Sequence, residues 1–182
     1  GHDSFMVAGH DRGGRVAHRL ARDHGDCVSR IAVLDIAPTA AMYAQTDMRF
    51  ATAYYHWFFL IQPAPLPEQM IGADPEFYLR RKCGQWGRTE GAITDEAFAD
   101  YLRCFRRQET VHTMCEDYRA AATIDLEHDA ADSDARLAMP LLAIWGEVGF
   151  VGSNYDLIAE WKKVAQDVSG TAVPGGHYCA EE

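Results

Sequence analysis

One stretch of the sequence combines residue types whose spacing suits covalent chemistry. In "VAGHDRGGR", residues 7–15, Asp11 follows Gly9 and precedes Gly13, each two positions away. An apolar run comes before the stretch and a helical pattern comes after it, which predicts a nucleophile elbow between a strand and a helix. Strand and helix approach too closely there for side chains at the glycines, and the helix N-terminus favours an ionised carboxylate. Asp11 is therefore a candidate nucleophile, with a simple helix cap as the alternative.

A histidine and a second carboxylate could supply acid–base chemistry beside Asp11. His177 follows a strand-like run and two glycines in "VPGGHY". A buried carboxylate that accepts the Nδ1–H of a histidine fixes the tautomer and orientation of its ring. Asp35, at the end of the strand in "AVLDIAP", is the preferred partner, and Glu147 in "IWGEVGF" is the alternative. The predicted catalytic residues are thus Asp11, Asp35 and His177.

Two arginines accompany the candidate nucleophile. Arg12 directly follows Asp11, and Arg15 lies four residues beyond it, so both can face the same pocket. Positive charge at a helix N-terminus is unfavourable, so the pair indicates an anionic partner. None of the histidines shows HExxH spacing and none of the five cysteines forms a CxxC pair. The sequence therefore predicts no metal site and no cofactor.

The elements that must position these residues are strands and helices in alternation. Four short apolar runs predict buried parallel strands at residues 4–9, 30–36, 140–146 and 170–176, and helical patterns occupy residues 14–24 and 154–168. Strand–helix–strand spacing predicts right-handed crossovers. Continuous apolar runs, rather than alternating ones, predict a sheet that is covered on both faces.

The middle of the chain differs from both ends in its predicted secondary structure. Residues 38–137 show mostly helical patterns, with helix starts at Asp74-Pro75 and Thr94-Asp95 and a proline-rich break at 62–69. We therefore predict an α/β core in two parts, residues 1–37 with the elbow and 138–182 with His177, interrupted by a helical cap over 38–137. An insertion after the carboxyl end of a strand lies over the crevice where α/β folds bind ligands.

Composition excludes some function classes. The net charge of −10 and the lack of a basic stretch argue against nucleic-acid binding. No apolar run is long enough to span a membrane, and no signal-peptide pattern is visible. Five scattered cysteines are typical of a reduced, cytoplasmic protein. The sequence begins without a methionine and runs directly into a strand, so we expect a fragment of a longer chain.

Several blocks together resemble a known family. The segments "GHDRGGR", "AVLDIAPT", "YYHWFFLIQPAPLPE", "MCEDYRA" and "GGHY" resemble the haloacetate dehalogenases, in particular the fluoroacetate dehalogenases, of the α/β-hydrolase fold. The blocks come in the family order and extend over essentially the whole chain. The resemblance implies an α/β-hydrolase fold, a small haloacetate and water as substrates, and a homodimer formed through the cap.

The resemblance also implies roles for individual residues. Asp11 would displace the halide and form an ester, and His177, oriented by Asp35, would activate the water that releases glycolate. Arg12 and Arg15 would bind the substrate carboxylate. The halide would be bound by donors from the cap, and these match His56, Trp57 and Tyr118.

Departures from the family leave other interpretations open. The strands that normally precede the elbow and the helix that normally follows the catalytic histidine are missing, so we expect this piece alone to be inactive and poorly folded. An epoxide hydrolase shares the aspartate, the acid and the histidine, but protonates the epoxide oxygen with cap tyrosines. A non-catalytic sensor of small acids is a third reading. The arginine pair argues against the epoxide hydrolase, and the retained catalytic residues argue against the sensor.

Overall fold

The centre of the molecule is a sheet of four parallel strands. The computed structural model describes residues 1–182. The strands are β1 (Phe5–His10), β2 (Val28–Leu34), β3 (Leu141–Gly146) and β4 (Val168–Val173), in the spatial order β1-β2-β3-β4. In the register of the sheet, His10 pairs with Leu34, Ile31 with Leu141, and Gly146 with Val173. The carboxyl ends of all four strands therefore lie at one edge, as the predicted crossovers require.

Eleven helices connect and cover these strands. They are α1 (Arg12–Asp23), α2 (Thr39–Ala44), α3 (Met48–Ala53), α4 (Tyr55–Leu60), α5 (Leu66–Ala73), α6 (Pro75–Trp86), α7 (Asp95–Phe105), α8 (Gln108–Ala121), α9 (Ile124–Ala131), α10 (Phe150–Asn154) and α11 (Leu157–Val164). Helices α2 to α9 all lie between β2 and β3, so the middle of the chain is helical, as its patterning predicts. No helix is both long enough and apolar enough to cross a membrane.

The sheet is packed on one face only. Helices α1 and α11 share that face, because the His18 ring meets the Trp161 ring edge-on at 5.3 Å. Beneath them Ile31 and Leu141 are almost fully buried. On the opposite face Met6 is 72% exposed and Leu142 is 39% exposed. Within residues 1–182 only one of the two predicted covers is therefore present, and apolar side chains of the second face are bare.

Local signals explain where several elements begin and end. The predicted starts of α6 and α7 are confirmed, because the Asp74 and Thr94 side chains accept the N–H groups of Phe77 and Ala97. The helix predicted for residues 154–168 is present as α11, but it starts later, after a cap at Asp156, and it ends earlier, at Val164. The short helix α10, which ends at Asn154, was not predicted. Strand β4 starts two residues earlier than predicted and ends three residues earlier. Its end is explained by Pro174, which has no N–H and directly follows it.

The helices between β2 and β3 contact the core at the carboxyl ends of its strands. The Asp117 carboxylate of α8 pairs with Arg12 of α1. The Trp86 carbonyl at the end of α6 accepts the backbone N–H of His177 at 3.1 Å. These contacts fix the position of the helical layer over the loops that follow β1 and β4.

Candidate active site

The turn after β1 holds Asp11 in a strained conformation. Its φ of 49° and ψ of −120° lie outside the regions that L-residues prefer. Its carbonyl accepts the N–H groups of Gly14 and Arg15, whereas its side chain makes no capping hydrogen bond. The alternative of Asp11 as a side-chain helix cap is therefore wrong. Strain of this kind persists where the surrounding structure imposes it, and it leaves the carboxylate free for other contacts.

The glycines around the elbow explain why the strand and helix can approach so closely. A Cβ at Gly9 would lie 2.3 Å from the Gly13 carbonyl oxygen. A Cβ at Gly14 would lie 2.8 Å from the Gly9 oxygen and from the Ile36 side chain, but one at Gly13 meets nothing within 4 Å. The tight positions are thus Gly9 and Gly14. The prediction that Gly13 must lack a side chain for steric reasons is therefore wrong, and that requirement applies to Gly14 instead.

His177 lies between two carboxylates. Its Nδ1 is 2.7 Å from Asp35 Oδ2, and its Nε2 is 3.7 Å from Asp11 Oδ2. The other oxygen of Asp35 accepts the N–H of Gly146 at 3.2 Å, and the Asp35 side chain is fully buried. Glu147, the alternative partner for the histidine, is exposed to solvent. Asp35 therefore orients the His177 ring so that Nε2 points at Asp11.

The three groups shift one another's protonation. Burial opposes the ionised form of Asp11, but the interaction with His177 and the charge of Arg15 outweigh it and hold the pKa of Asp11 well below its usual range. Burial likewise opposes protonation of His177, but Asp11 and Asp35 together raise its pKa. His177 therefore favours the ionised form of Asp11, and the two carboxylates favour the protonated form of His177.

The two arginines are held in place by different partners. Arg15 is buried, and its Nη1 donates to the Ala37 carbonyl at 3.1 Å and to the Thr39 hydroxyl at 2.9 Å. Arg12 pairs with the Asp117 carboxylate and also donates to the Asp117 carbonyl at 3.1 Å. One nitrogen of each guanidinium, Nη1 of Arg12 and Nε of Arg15, is buried without a hydrogen-bond partner in the chain. Unsatisfied buried donors are costly, so this pair of N–H groups is suited to a bound anion.

The three aromatic residues of the predicted halide site lie against these arginines. His56, Trp57 and Tyr118 are all buried. The Arg12 guanidinium lies 4.8 Å from the centre of the Tyr118 ring, and that of Arg15 lies 4.7 Å from the centre of the Trp57 ring. The His56 and Tyr118 rings are 5.6 Å apart, and Nδ1 of His56 has no hydrogen-bond partner. The structure therefore brings the predicted cap residues and core residues together.

Two neighbours of the site were missed by the sequence analysis. The Trp86 ring lies 4.6 Å from the His56 ring and 5.5 Å from the His177 ring, so it forms a wall between the helices and the catalytic loop. Asp117 fixes the position of Arg12. Neither residue has a local motif that marks it. The segment "MCEDYRA" contains Asp117 beside Tyr118, and the charge pairing with Arg12 is the only signal that could have identified it.

One group of potential metal ligands lies elsewhere, on α5 and α8. The ligand atoms of Glu68, His112 and Glu116 lie within 4.8 Å of one another. However, Nη1 of Arg119 lies 2.8 Å from Glu68 Oε1 and 2.5 Å from Glu116 Oε1. This guanidinium already neutralises the carboxylates, and its positive charge disfavours a cation at the same place. The group is therefore an ion-pair network that stabilises the contact between two helices.

The geometry at the strand edge supports nucleophilic substitution by a carboxylate. An ionised Asp11 lies close enough to Arg12 and Arg15 for their charges to act on one another, and each guanidinium has an unpaired nitrogen that can donate to an anion. A histidine oriented by a buried carboxylate lies beside Asp11 and can exchange protons with water. Displacement of a leaving group by Asp11, followed by hydrolysis of the resulting ester, needs no metal and no cofactor.

Comparison with known proteins gives the same fold. The family model for the alpha/beta hydrolase fold matches residues 1–179. The chain is 40% identical over 179 residues to a fluoroacetate dehalogenase from Burkholderia sp, covering 98% of this chain and 59% of the relative. It is 31% identical to a soluble epoxide hydrolase from Corynebacterium sp. (strain C12), covering 100% of this chain and 63% of the relative.

A solved structure agrees closely. A crystal structure of a "Putative Acyltransferase" from Salmonella enterica superposes with a TM-score of 0.98 at 54% identity, over 99% of this chain and 60% of that one. The chain thus spans about three fifths of the length of the relatives it matches. The family match over nearly all residues and the parallel sheet with its elbow lead to one conclusion: this chain belongs to the alpha/beta hydrolase fold family.

Proposed function

We propose that the protein hydrolyses a haloacetate, fluoroacetate or chloroacetate, to glycolate and halide. The observation that carries the proposal is the pair of unsatisfied guanidinium nitrogens, on Arg12 and Arg15, beside an ionised Asp11. These donors suit a carboxylate, and the charges of both guanidinium groups interact with that of Asp11. The 40% identity to a fluoroacetate dehalogenase supports the same substrate class.

Substrate binding places the reacting carbon beside the nucleophile. Arg12 Nη1 and Arg15 Nε each donate to the substrate carboxylate, which offsets their buried charge. This grip directs the CH₂–halogen group at the Asp11 carboxylate, and fixing that geometry lowers the entropic cost of the reaction. The Arg15 side chain is itself anchored by Ala37 and Thr39, so little flexibility is lost on binding.

In the first step Asp11 displaces the halide. One carboxylate oxygen forms a bond to the carbon, and the carbon–halogen bond breaks with its electron pair on the halide. The proposed donors to the leaving halide are His56, Trp57 and Tyr118, which lie in the helical layer facing the arginines. The product is an ester between Asp11 and glycolate, with one halide ion released.

In the second step, formation of the ester at Asp11 makes His177 a better base for activating water. The negative charge of Asp11 is one of the two causes that raise the pKa of His177. Esterification removes that charge, so His177 loses its proton more readily and becomes a neutral base when water must be activated. His177 then takes a proton from water, and the hydroxide adds to the ester carbonyl of Asp11. The bond between the acyl carbon and the glycolate oxygen breaks, the departing alkoxide takes the proton of the added hydroxyl group, and glycolate leaves with the Asp11 carboxylate restored. The net reaction consumes one water and releases one proton.

The test is halide release from the full-length parent protein expected from the sequence analysis. Fluoroacetate and chloroacetate are offered separately, and free halide is followed with an ion-selective electrode. We expect release from the wild type and loss of at least about a thousandfold in Asp11→Asn, since that variant lacks the nucleophile. Asp23→Asn, at the exposed end of α1, is the matched control and is expected to retain activity. No halide from either substrate would overturn the proposal.

An epoxide hydrolase is the second candidate. It is favoured by the buried tyrosines Tyr54 and Tyr118, whose pKa values are raised by burial and further by carboxylates that include Asp11. Such tyrosines could donate to an epoxide oxygen. Opening of an uncharged epoxide, with no halide release from haloacetates, would favour this candidate. Binding of a haloacetate without turnover of either substrate would favour a sensor. The homodimer and the cytoplasmic location stay predictions of the sequence analysis.

A further inference from the structure

A buried lysine lies behind the site, and the proposed reaction does not use it. Lys82 of α6 is only 6% exposed, and its Nζ makes no hydrogen bond. Its charge is instead surrounded by aromatic rings, with Nζ at 3.9 Å from the centre of the Tyr55 ring, 4.7 Å from that of Trp86 and 5.5 Å from that of Tyr78. Burying an ammonium without a carboxylate partner is costly, and aromatic faces recover only part of that cost.

One of these rings connects Lys82 to the halide site. Trp86 contacts the Lys82 ammonium, and the same ring lies 4.6 Å from the His56 ring. His56 is one of the proposed halide donors, and its own Nδ1 is buried without a partner. Burial and then the charge of Lys82 are the two largest causes that keep the pKa of His56 below its usual range. Only the Trp86 indole therefore lies between the Lys82 ammonium and the His56 ring along this line of contacts.

An ordinary surface lysine would have its ammonium group in solvent, but Lys82 is buried. The neighbouring Arg81 is exposed, as a surface cation should be, whereas Lys82 is turned inward onto the aromatic rings. Burial and the nearby Arg81 lower the pKa of Lys82 to about 8, so the ammonium form still prevails at neutral pH. The electrostatic interaction of a cation with other charges is stronger among buried aromatic rings than in water, because the dielectric constant is lower there.

We propose that Lys82 is a positioning residue of the halide site: its ammonium, seated on the same indole as His56, adds a fixed positive charge behind the place where the leaving halide gains its negative charge. This inference rests on the proposed haloacetate hydrolysis. Arg12 and Arg15 contact the rings of Tyr118 and Trp57, whereas Lys82 contacts Trp86, whose ring lies against His56. The arginines are assigned to the substrate carboxylate, so we expect the lysine charge to act on departure of the halide rather than on binding of the carboxylate. Charge that matters only as the halide leaves affects kcat more than KM.

The test compares Lys82→Met with Lys82→Arg in the full-length parent protein. Methionine keeps the length and apolar stem of the side chain, whereas arginine keeps the charge. We expect kcat for fluoroacetate to fall about tenfold in Lys82→Met with KM nearly unchanged, and to recover to within about threefold in Lys82→Arg. Arg81→Met removes an equal charge from the exposed neighbouring position and is expected to behave as wild type.

A second readout does not require turnover. Halide binding is followed by quenching of tryptophan fluorescence with bromide, and we expect affinity to weaken several-fold in Lys82→Met but not in Lys82→Arg or Arg81→Met. Equal losses in both Lys82 variants would show that Lys82 only packs the helix, and an unchanged Lys82→Met would overturn the inference outright. A wild type that releases no halide overturns the proposed function instead, and a wild type that neither releases nor binds halide overturns both.

Discussion

Asp35 is fixed at both of its oxygens, and this makes it the residue that sets the geometry of the site. Oδ2 is 2.7 Å from His177 Nδ1, and Oδ1 accepts the Gly146 N–H at 3.2 Å. With one oxygen tied to β3, the other can hold the imidazole ring in only one orientation. That orientation places Nε2 near Asp11 rather than toward solvent. The same anchoring makes the residue sensitive to a change that alters its hydrogen-bonding character but not its shape.

Replacing Asp35 by asparagine should stop the second half of the proposed reaction. The amide cannot stabilise a protonated His177, and it favours the wrong tautomer, so we expect ester hydrolysis to fall by roughly 10³–10⁴. Asp11 stays ionised, so the ester should still form and accumulate, as a mass gain of one carboxymethyl group in the intact protein. Glu147→Gln is the matched control and should turn over normally. A large loss in Glu147→Gln with little loss in Asp35→Asn would contradict the assignment.

At the level of elements, the strand-to-helix junction of β1 and α1 determines where Asp11 can be. The two tight positions, Gly9 and Gly14, lie where strand and helix backbones meet, and Gly13 lies on the exposed outer side of the turn. A side chain at either tight position would separate α1 from the sheet and move the Asp11 carboxylate with it. The distinction between the glycines is therefore structural as well as catalytic.

Alanine substitutions at the glycines should separate these roles. Gly9→Ala would place a methyl group against backbone atoms, so we expect a loss of about 3 kcal/mol or more in the free energy of unfolding. Gly13→Ala meets nothing, and in the first turn of α1 it should be neutral or stabilising by about 0.5–1 kcal/mol. Urea unfolding followed by circular dichroism measures both values. Equal effects at the two positions would show that the junction is looser than its contacts indicate.

The same elements show what sequence can and cannot predict here. The four strands and the positions of Asp11, Asp35 and His177 at their ends follow from short apolar runs, which is a local signal. Helix α10 was missed because it has only five residues, too few to show a helical period. The start of α11 was placed too early because the cap at Asp156 was not recognised. Trp86 was missed because its role depends on where α6 lies against the His177 loop, and no short-range pattern encodes that placement.

At the scale of the whole molecule, the packed face of the sheet carries buried groups that tie stability to pH. His18 of α1 is 7% exposed and lies edge-on to Trp161 of α11. Nε of Arg22 donates to His18 Nε2 at 3.4 Å, a contact that only a neutral imidazole can accept. Burial first, and then the charges of Arg22, Arg19 and Arg15, lower the pKa of His18 to about 3. The ring is thus neutral in the folded protein well below the pH at which it would protonate in an unfolded chain.

The protein should therefore lose stability as the pH falls below about 6.5, and His18 should account for a definable part of that loss. Below this pH the unfolded chain binds a proton at His18 and the folded state does not, so acid favours unfolding. At pH 5 the difference is about 2 kcal/mol, because each pH unit contributes about 1.4 kcal/mol. His56, whose pKa is also lowered by burial, contributes in the same window, so wild type must be compared with His18→Gln. The free energy of unfolding is measured by urea titration at about pH 5 and about pH 7. Its change between the two pH values should be smaller in His18→Gln than in wild type by about 2 kcal/mol. In the control variant His24→Gln, at an exposed position, the free energy of unfolding should change with pH as it does in wild type. An unchanged pH dependence in His18→Gln would show that the fold does not keep His18 neutral.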